Sequence, residues 1–381
     1  MLLLALAHAA DPSLTTFPVW TADHLRDCVL PTPFDEDEVA RRNRPDDLAA
    51  ALTVWRRARP DLYATTEAPP AGLRLVPDFA PMETLHVALP DYEDHVDTYV
   101  PLLAAASRVG HVRASRVGWP DLPALTERLA ASGANLDQIT YIASEGAESI
   151  WVRDYGPLPV ESAAGNDVLD FAYAPDCPVD DAHPTLSRKP DQQVWRSPFI
   201  VEGGNLVTDG EGACFATRAL YEETGTPRAA MEAHLTRWAG CDPLVWLEAL
   251  DDDAAPHADM FLTPAPDRVL LLASFDPGED PANAAIMARN RARLAALDRW
   301  RLVDLPTLPP HADGVTRTFN PVLPFNSVLF VPDFPDGPAD RGAVAREILA
   351  TAFPGRTLQP VPVEALLELG GSLHCIGRAS R

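Results

Sequence analysis

The sequence predicts an α/β fold. From Leu73 onward, short apolar strands alternate with helical patterns. A unit of roughly fifty residues recurs about five times, without sequence identity between units. Hydrophobic residues make up 46% of the 381 and charged residues 23%, enough for a sizeable core. Two architectures suit this pattern: similar strand–helix units sharing one core, or an ordinary open α/β sheet.

In order along the chain, Leu85–Leu89 reads as a strand, Val96–Val109 as an amphipathic helix and His111–Ala114 as the next strand. Leu122–Ala131 is a helix that stops at Gly133, followed by a strand at Ile139–Ala143. Ala229–Trp238 is a helix closed by Gly240, before the strand Leu244–Leu247. Arg268–Ala273, Ala284–Arg299 and Leu302–Leu305 read as strand, long helix and strand. The final unit is Ser327–Val331, helix Ala343–Thr351 ending before Pro354-Gly355, and strand Leu358–Val361. The 39 prolines fall between apolar segments and read as loops.

Ahead of this domain, assigned to residues 73–381, residues 11–72 read as a mainly helical extension and linker. Val39, Leu48, Leu52 and Trp55 lie at helical spacing, which predicts one or two surface helices. Pro69-Pro70 marks the linker. Residues 1–10 are apolar, and Ala7-His8-Ala9 fits a small-x-small cleavage site without a basic leader before it. We expect an export signal there; a frayed apolar N-terminus is the alternative. No apolar run approaches the ~20 residues of a membrane helix.

With 31 Lys+Arg against 55 Asp+Glu, the net charge is -24. Phosphate contacts need clustered cations, so nucleic acid is not an expected partner. A neutral or cationic small substrate suits the balance. Cys28, Cys177, Cys214, Cys241 and Cys375 show neither CxxC nor zinc spacing. An odd count in an exported protein leaves at least one thiol unpaired.

Four clusters stand outside the core pattern: Trp151-Val-Arg-Asp154-Tyr-Gly-Pro157, Glu202-Gly-Gly-Asn205, His257-Ala-Asp259 and Gly370-Gly-Ser-Leu-His374-Cys375. Singly, each has a structural explanation: a surface ion pair, a turn, a loop histidine, a buried small thiol. Together they add up to a chemistry. A lone cysteine with a separate histidine is a nucleophile and acid/base pair. Two carboxylates, Asp154 and Asp259, clamp a planar cation bidentately. The set describes nucleophilic attack on a guanidinium carbon.

At these residues the sequence resembles the agmatine deiminase and bacterial peptidylarginine deiminase family, within the guanidine-modifying pentein superfamily. All four motifs occur in the family's order, and Phe79-Ala-Pro-Met-Glu83 with Pro90 is similar to its first-strand signature. The resemblance covers about residues 73–381 and implies a five-bladed, pseudo-symmetric α/β propeller. It implies Cys375 as nucleophile, Asp154 and Asp259 as guanidinium ligands, His257 as acid/base, and Glu202 orienting His257. Trp151 and Asn326 are implied against the substrate. The implied reaction is hydrolysis of agmatine or peptidyl-arginine to a ureido product and ammonia, without metal or organic cofactor.

The chain departs from both subgroups. The segment Asp170–Asp180 lacks the arginine pair that holds a substrate carboxylate in the peptidylarginine branch. Tyr155 and Met260 stand where agmatine deiminases usually carry Thr and Asn. An acidic loop at Asp176, Asp180 and Asp181 predicts a preference for agmatine or an internal arginine over free arginine, with Arg188 and Arg196 as the nearest cations. Amidino transfer, dihydrolysis, a Cys-His amidase and a non-catalytic binding protein are the competing readings. Carboxylates at Asp154 and Asp259 oppose the amidase, whose carbonyl chemistry needs oxyanion donors. The Asp251-Asp-Asp253 run is where a Ca²⁺ would dock.

Overall fold

A computed structural model describes residues 45–90, 95–117, 121–142, 147–163, 165–174, 176–251, 255–310, 313–335 and 337–381. The expected signal segment, Cys28 and Asp252-Asp253 lie outside them.

The described strands form five separate sheets rather than one open sheet. Four share one plan: a short strand pairs antiparallel with a central strand, which pairs parallel with a third across a helix. Leu262–Ala265, Val269–Ser274 and Arg301–Pro306 are one such set, with helix Pro281–Ala295 as the crossover. Leu323–Phe325, Val328–Asp333 and Thr357–Pro362 repeat it across helix Ala339–Ala352. Val207–Thr208, Cys214–Thr217 and Leu244–Leu247 repeat it across helix Arg228–Ala239. Leu158–Ser162, Gly165–Ala172 and Val194–Ile200 do so across helix Pro178–Ser187, with Arg74–Leu75 added at the edge.

The fifth sheet joins distant parts of the chain. Gly377–Ser380 pairs antiparallel with Thr84–Leu89, which runs parallel to His111–Arg116 and then Ile139–Ile142. This pairing brings the Cys375 motif beside the segment that opens the domain. Central strands are buried along nearly their whole length, as in Val328–Asp333 and Val269–Ser274. Continuous apolar runs are what strands covered on both faces require.

Local sequence accounts for the helix ends. Asp121 accepts a hydrogen bond from the Ala124 N–H at 3.0 Å, and Asp280 accepts one from Asn283 at 3.0 Å. Gly240, at φ 68°, closes Arg228–Ala239 in the left-handed region. The helix starting at Val96 ends at Ala106, short of Val109, and is buried almost all round rather than amphipathic.

The described part of the extension packs one face inward. Pro45–Arg57 buries Ala49, Leu52 and Arg56, and Pro60–Tyr63 buries Tyr63. Arg56 Nε meets Asp181 Oδ2 at 2.9 Å. Arg196 meets Asp170 at 2.8 Å and the other Asp181 oxygen at 2.7 Å, and donates to the Tyr63 carbonyl at 3.1 Å. Buried charges persist only when paired in this way, so residues 45–63 are tied to helix Pro178–Ser187 and to the strand that carries Arg196.

The same network corrects the expected acidic loop. Asp170 lies on the strand Gly165–Ala172, Asp180 and Asp181 lie in the first turn of helix Pro178–Ser187, and Asp176 lies in the turn just before that helix. Asp170, Asp176, Asp180 and Asp181 are all buried. Asp180 accepts from the backbone N–H groups of Glu148 and Ser149 at 2.8 and 2.9 Å. The carboxylates of Asp170, Asp180 and Asp181 are taken up in holding this part of the structure together. Arg196 is fully engaged, and Arg188 donates to the Thr185 carbonyl.

Cys214 and Cys241 form a disulfide, Cys177 is also disulfide-bonded, and Cys375 is a buried free thiol. No helix among the described residues is long and apolar enough to cross a membrane.

Candidate active site

The four motifs meet at short irregular segments that follow or precede strands. Trp151 opens the single-turn helix Val152–Tyr155, which carries Asp154. Gly203–Asn205 is a 3₁₀ turn directly after Glu202. Ala258–Met260 is another, directly after His257, and Leu373–Ile376 a third, carrying Cys375. Tight turns of this kind aim neighbouring side chains at one point without extending a helix.

Gly204 defines that point. A Cβ on it would sit 2.7 Å from Asp154 Oδ1, 2.7 Å from His257 Nδ1 and 3.1 Å from Asp259 Oδ2. Two carboxylates and the imidazole therefore surround one small space, and only glycine leaves it open. The Gly204 N–H donates to Asp154 Oδ1 at 3.0 Å, fixing that carboxylate. Asn205 ties the turn to its neighbours: its Oδ1 accepts from Thr217 at 2.8 Å and from Ala258 at 3.2 Å.

His257 Nε2 lies 2.8 Å from Glu202 Oε2, and its Nδ1 lies 3.6 Å from Asp154 Oδ1. That Nδ1 is buried and has no hydrogen-bond partner. Burial alone disfavours the imidazolium, but Asp154 and then Glu202 outweigh it and raise the pKa to about 10. Asp154 itself is pushed up to about 6 by burial, with Glu202 and Asp259 adding to the rise and His257 opposing it. Asp259 turns Oδ2 to His374 Nδ1 at 2.6 Å, while its Oδ1 is buried without a partner.

Cys375 is buried in the same apolar cluster as Ala258, Met260 and Phe261. Its Sγ accepts from the Ser372 N–H at 3.4 Å. Burial, then Asp259 and Asp154, hold the thiol well above its ordinary range. A cation between those carboxylates would reverse this influence and favour the thiolate, the reactive form. Trp151 packs over Gly371, where a Cβ would lie 2.5 Å from the ring. Chemically, the site offers carboxylates for a cation, an imidazole with a free nitrogen facing them, and a thiol beside both.

Asn326 has a different job. It sits at φ 51° in the turn between Leu323–Phe325 and Val328–Asp333, where asparagine tolerates the left-handed region. Its Oδ1 accepts from the Met82 N–H at 3.0 Å, and its Nδ2 donates to the Val109 carbonyl at 2.9 Å. Both ends of the amide thus serve backbone, not substrate. Tyr155 is a core residue whose hydroxyl donates to the Ser149 carbonyl at 2.8 Å.

Sequence reasoning missed Asp78. It receives Arg153 Nη1 at 2.8 Å and meets His374 Nε2 at 3.2 Å. Burial opposes its charge, but Arg153, His374 and Arg378 keep the carboxyl well below the usual range. Its one sequence signal is its place immediately before Phe79, the start of the first-strand signature. Among the described residues, no group of three or more His, Cys, Asp or Glu is arranged to hold a metal ion.

Comparison with known proteins places this arrangement. The agmatine deiminase of Stutzerimonas stutzeri is 25% identical over 350 residues, 80% of this chain and 94% of that protein. A relative from Vibrio parahaemolyticus is 26% identical over 213 residues, 48% of this chain and 58% of the relative's length. The substrate-bound agmatine deiminase of C. jejuni has a TM-score of 0.70 at 17% identity, covering 83% of this chain and 98% of that one. That likeness speaks for a shared pentein fold of mixed α/β content. Residues 81–379, which contain the four site motifs, match the Porphyromonas-type peptidyl-arginine deiminase family, and the chain belongs to that family.

Proposed function

We propose that the protein hydrolyses a guanidinium group to a ureido group and ammonia, with agmatine as the favoured substrate. The observation that carries this reading is the space beside Gly204, ringed by Asp154, His257 and Asp259, whose two carboxylates also act on the buried thiol of Cys375. A guanidinium seated there would meet the carboxylates of Asp154 and Asp259, and its charge would favour the Cys375 thiolate.

On substrate binding the Cys375 thiol loses its proton to solvent, and the thiolate attacks the guanidinium carbon, forming a C–S bond as the C=N π pair moves onto nitrogen. His257 gives a proton to the departing nitrogen, which leaves as ammonia. The product is a thiouronium on Cys375. His257, now neutral, takes a proton from water as that water adds to the carbon. The C–S bond breaks as the C=O bond forms and the hydroxyl proton passes to the released ammonia or to solvent, releasing the ureido product and the thiolate. Glu202 holds His257 in place throughout, and Trp151 walls the site.

Agmatine is supported over arginine by the names of the relatives and by Arg196, whose donors are taken by Asp170, Asp181 and Tyr63. The family's name favours a second reading, an internal peptidyl-arginine. We read the five sheets as five blades about a pseudo-symmetry axis, with 73–381 as the deiminase domain and the extension as its brace. The Cys214–Cys241 disulfide supports work in an oxidising compartment after export.

The test is incubation with agmatine, free arginine, an internal-Arg peptide and a C-terminal-Arg peptide, measuring ureido product and ammonia. Cys375→Ala is the control and should be inactive. Ammonia release from the alanine variant within tenfold of wild type would sink the mechanism.

A further inference from the structure

His374 stands directly before the nucleophile, yet the reaction above gives it no part. Its side chain is nonetheless the most constrained in the site. Nδ1 meets Asp259 Oδ2 at 2.6 Å, and Nε2 meets Asp78 Oδ2 at 3.2 Å. The His374 carbonyl also accepts from Arg153 Nε at 3.3 Å, and Arg153 Nη1 holds the other Asp78 oxygen at 2.8 Å. Arg378 Nη1 lies 3.9 Å from that same oxygen. Ring and backbone of His374 are therefore gripped by one pair, Asp78 and Arg153.

The consequence falls on Asp259. A carboxylate with one oxygen pinned at 2.6 Å cannot turn about its side-chain bonds without breaking that hydrogen bond. Its other oxygen, Oδ1, is buried and unpartnered. An unsatisfied buried carboxylate oxygen is costly and calls for a ligand. We propose that His374, braced by Asp78, is a positioning residue for deimination: it sets the plane of the Asp259 carboxylate so that Oδ1 faces the guanidinium. The inference rests on the deimination reading.

Two substitutions separate the two ring nitrogens. In His374→Asn the amide nitrogen takes the place of Nδ1, which keeps the Asp259 bond and loses Asp78. In His374→Gln the amide reaches the place of Nε2, which keeps Asp78 and frees Asp259. Misplacing a reacting group by about 1 Å costs on the order of 10²-fold. His374→Gln is therefore expected to lower kcat/KM for agmatine by about 10²-fold, with a split between kcat and KM like that of Asp259→Asn. His374→Asn should lose less than tenfold. Equal losses in both variants, or a His374→Gln within threefold of wild type, would overturn the proposal.

A second measurement does not need turnover. In the Cys375→Ala background, calorimetric affinity for agmatine should fall at least tenfold with His374→Gln and much less with His374→Asn. Equal affinities overturn the proposal. If wild type turns over no guanidine, the deimination reading fails, and this binding comparison still decides the role of His374. If neither histidine variant folds, Asp78→Asn serves instead: a several-fold fall in kcat/KM is expected, and unchanged kinetics refute the brace.

Discussion

Glu202→Gln isolates what keeps His257 charged. The pKa of His257 rises from 6.5 to about 10, which at about 1.36 kcal/mol per pH unit is about 5 kcal/mol in favour of the imidazolium. Burial works against this, so Asp154, Glu202 and Asp259 together supply more than the net amount. Glu202 contributes a charged hydrogen bond at 2.8 Å, of a kind worth about 1.5–3 kcal/mol. Glutamine keeps the shape and removes the charge, so the pKa of His257 should fall by about one to two pH units. An imidazole titration followed by NMR reads this directly, without substrate. Activity should follow: near pH 7 the variant still holds the proton destined for the leaving ammonia, whereas near pH 9 it does not. The rate loss is thus larger at pH 9 than at pH 7. The sign holds for stability as well. A raised histidine pKa contributes stability that is fully present below 6.5 and lost as pH rises through about 10. The variant should lose that contribution earlier in the same rise. An unchanged titration midpoint in Glu202→Gln would refute the electrostatic account of the site.

Gly204→Ala places a methyl 2.7 Å from both Asp154 Oδ1 and His257 Nδ1, so agmatine turnover should fall on the order of 10²-fold or more while near-UV dichroism stays native. Glu148 is pushed up from 4.5 to about 9, first by burial and then by Asp180. Its stabilising contribution is present below pH 4.5 and lost as pH rises through 9. Denaturant titrations should therefore show Glu148→Gln gaining on wild type between pH 5 and pH 9 by up to several kcal/mol; a constant gap across that range would count against it. Turnover should survive prolonged EDTA dialysis, since the charge that activates the carbon is the substrate's own. Complete loss restored by Ca²⁺ would overturn the metal-free mechanism.

Central strands and crossover helices were legible because each is a run long enough to show its period. Leu122–Ala131 and Leu244–Leu247 match their sequence assignments at both ends. The short opening strands were not: Val207–Thr208 and Leu323–Phe325 are too brief for any alternation to appear. Gly165–Ala172 was hidden for another reason. Its Asp170 looks like a loop residue until Arg196, on the next strand, pairs with it. The four motifs of the site were legible only as a set, through their shared order with the family the sequence resembles. The tie from His374 to Asp78 was not, because it joins residues at opposite ends of the domain and depends on the pairing of Gly377–Ser380 with Thr84–Leu89. Asn326 misled for a similar reason: its side chain answers to the backbone at Met82 and Val109.

The pairing of Gly377 opposite Val87 also orders events during synthesis. Thr84–Leu89 leaves the ribosome early, and its antiparallel edge stays open until Gly377–Ser380 arrives. Contacts so distant in sequence form slowly, and an open strand edge is a template for unwanted pairing. The strand that closes the edge begins two residues after Cys375, so the nucleophile reaches Asp259 and Asp154 only as this step is completed. A nascent or half-folded chain therefore holds its thiol away from the carboxylates that would seat a cation beside it. Catalytic activity becomes a readout of finished folding, and chaperone dependence or aggregation during expression should trace to that waiting edge.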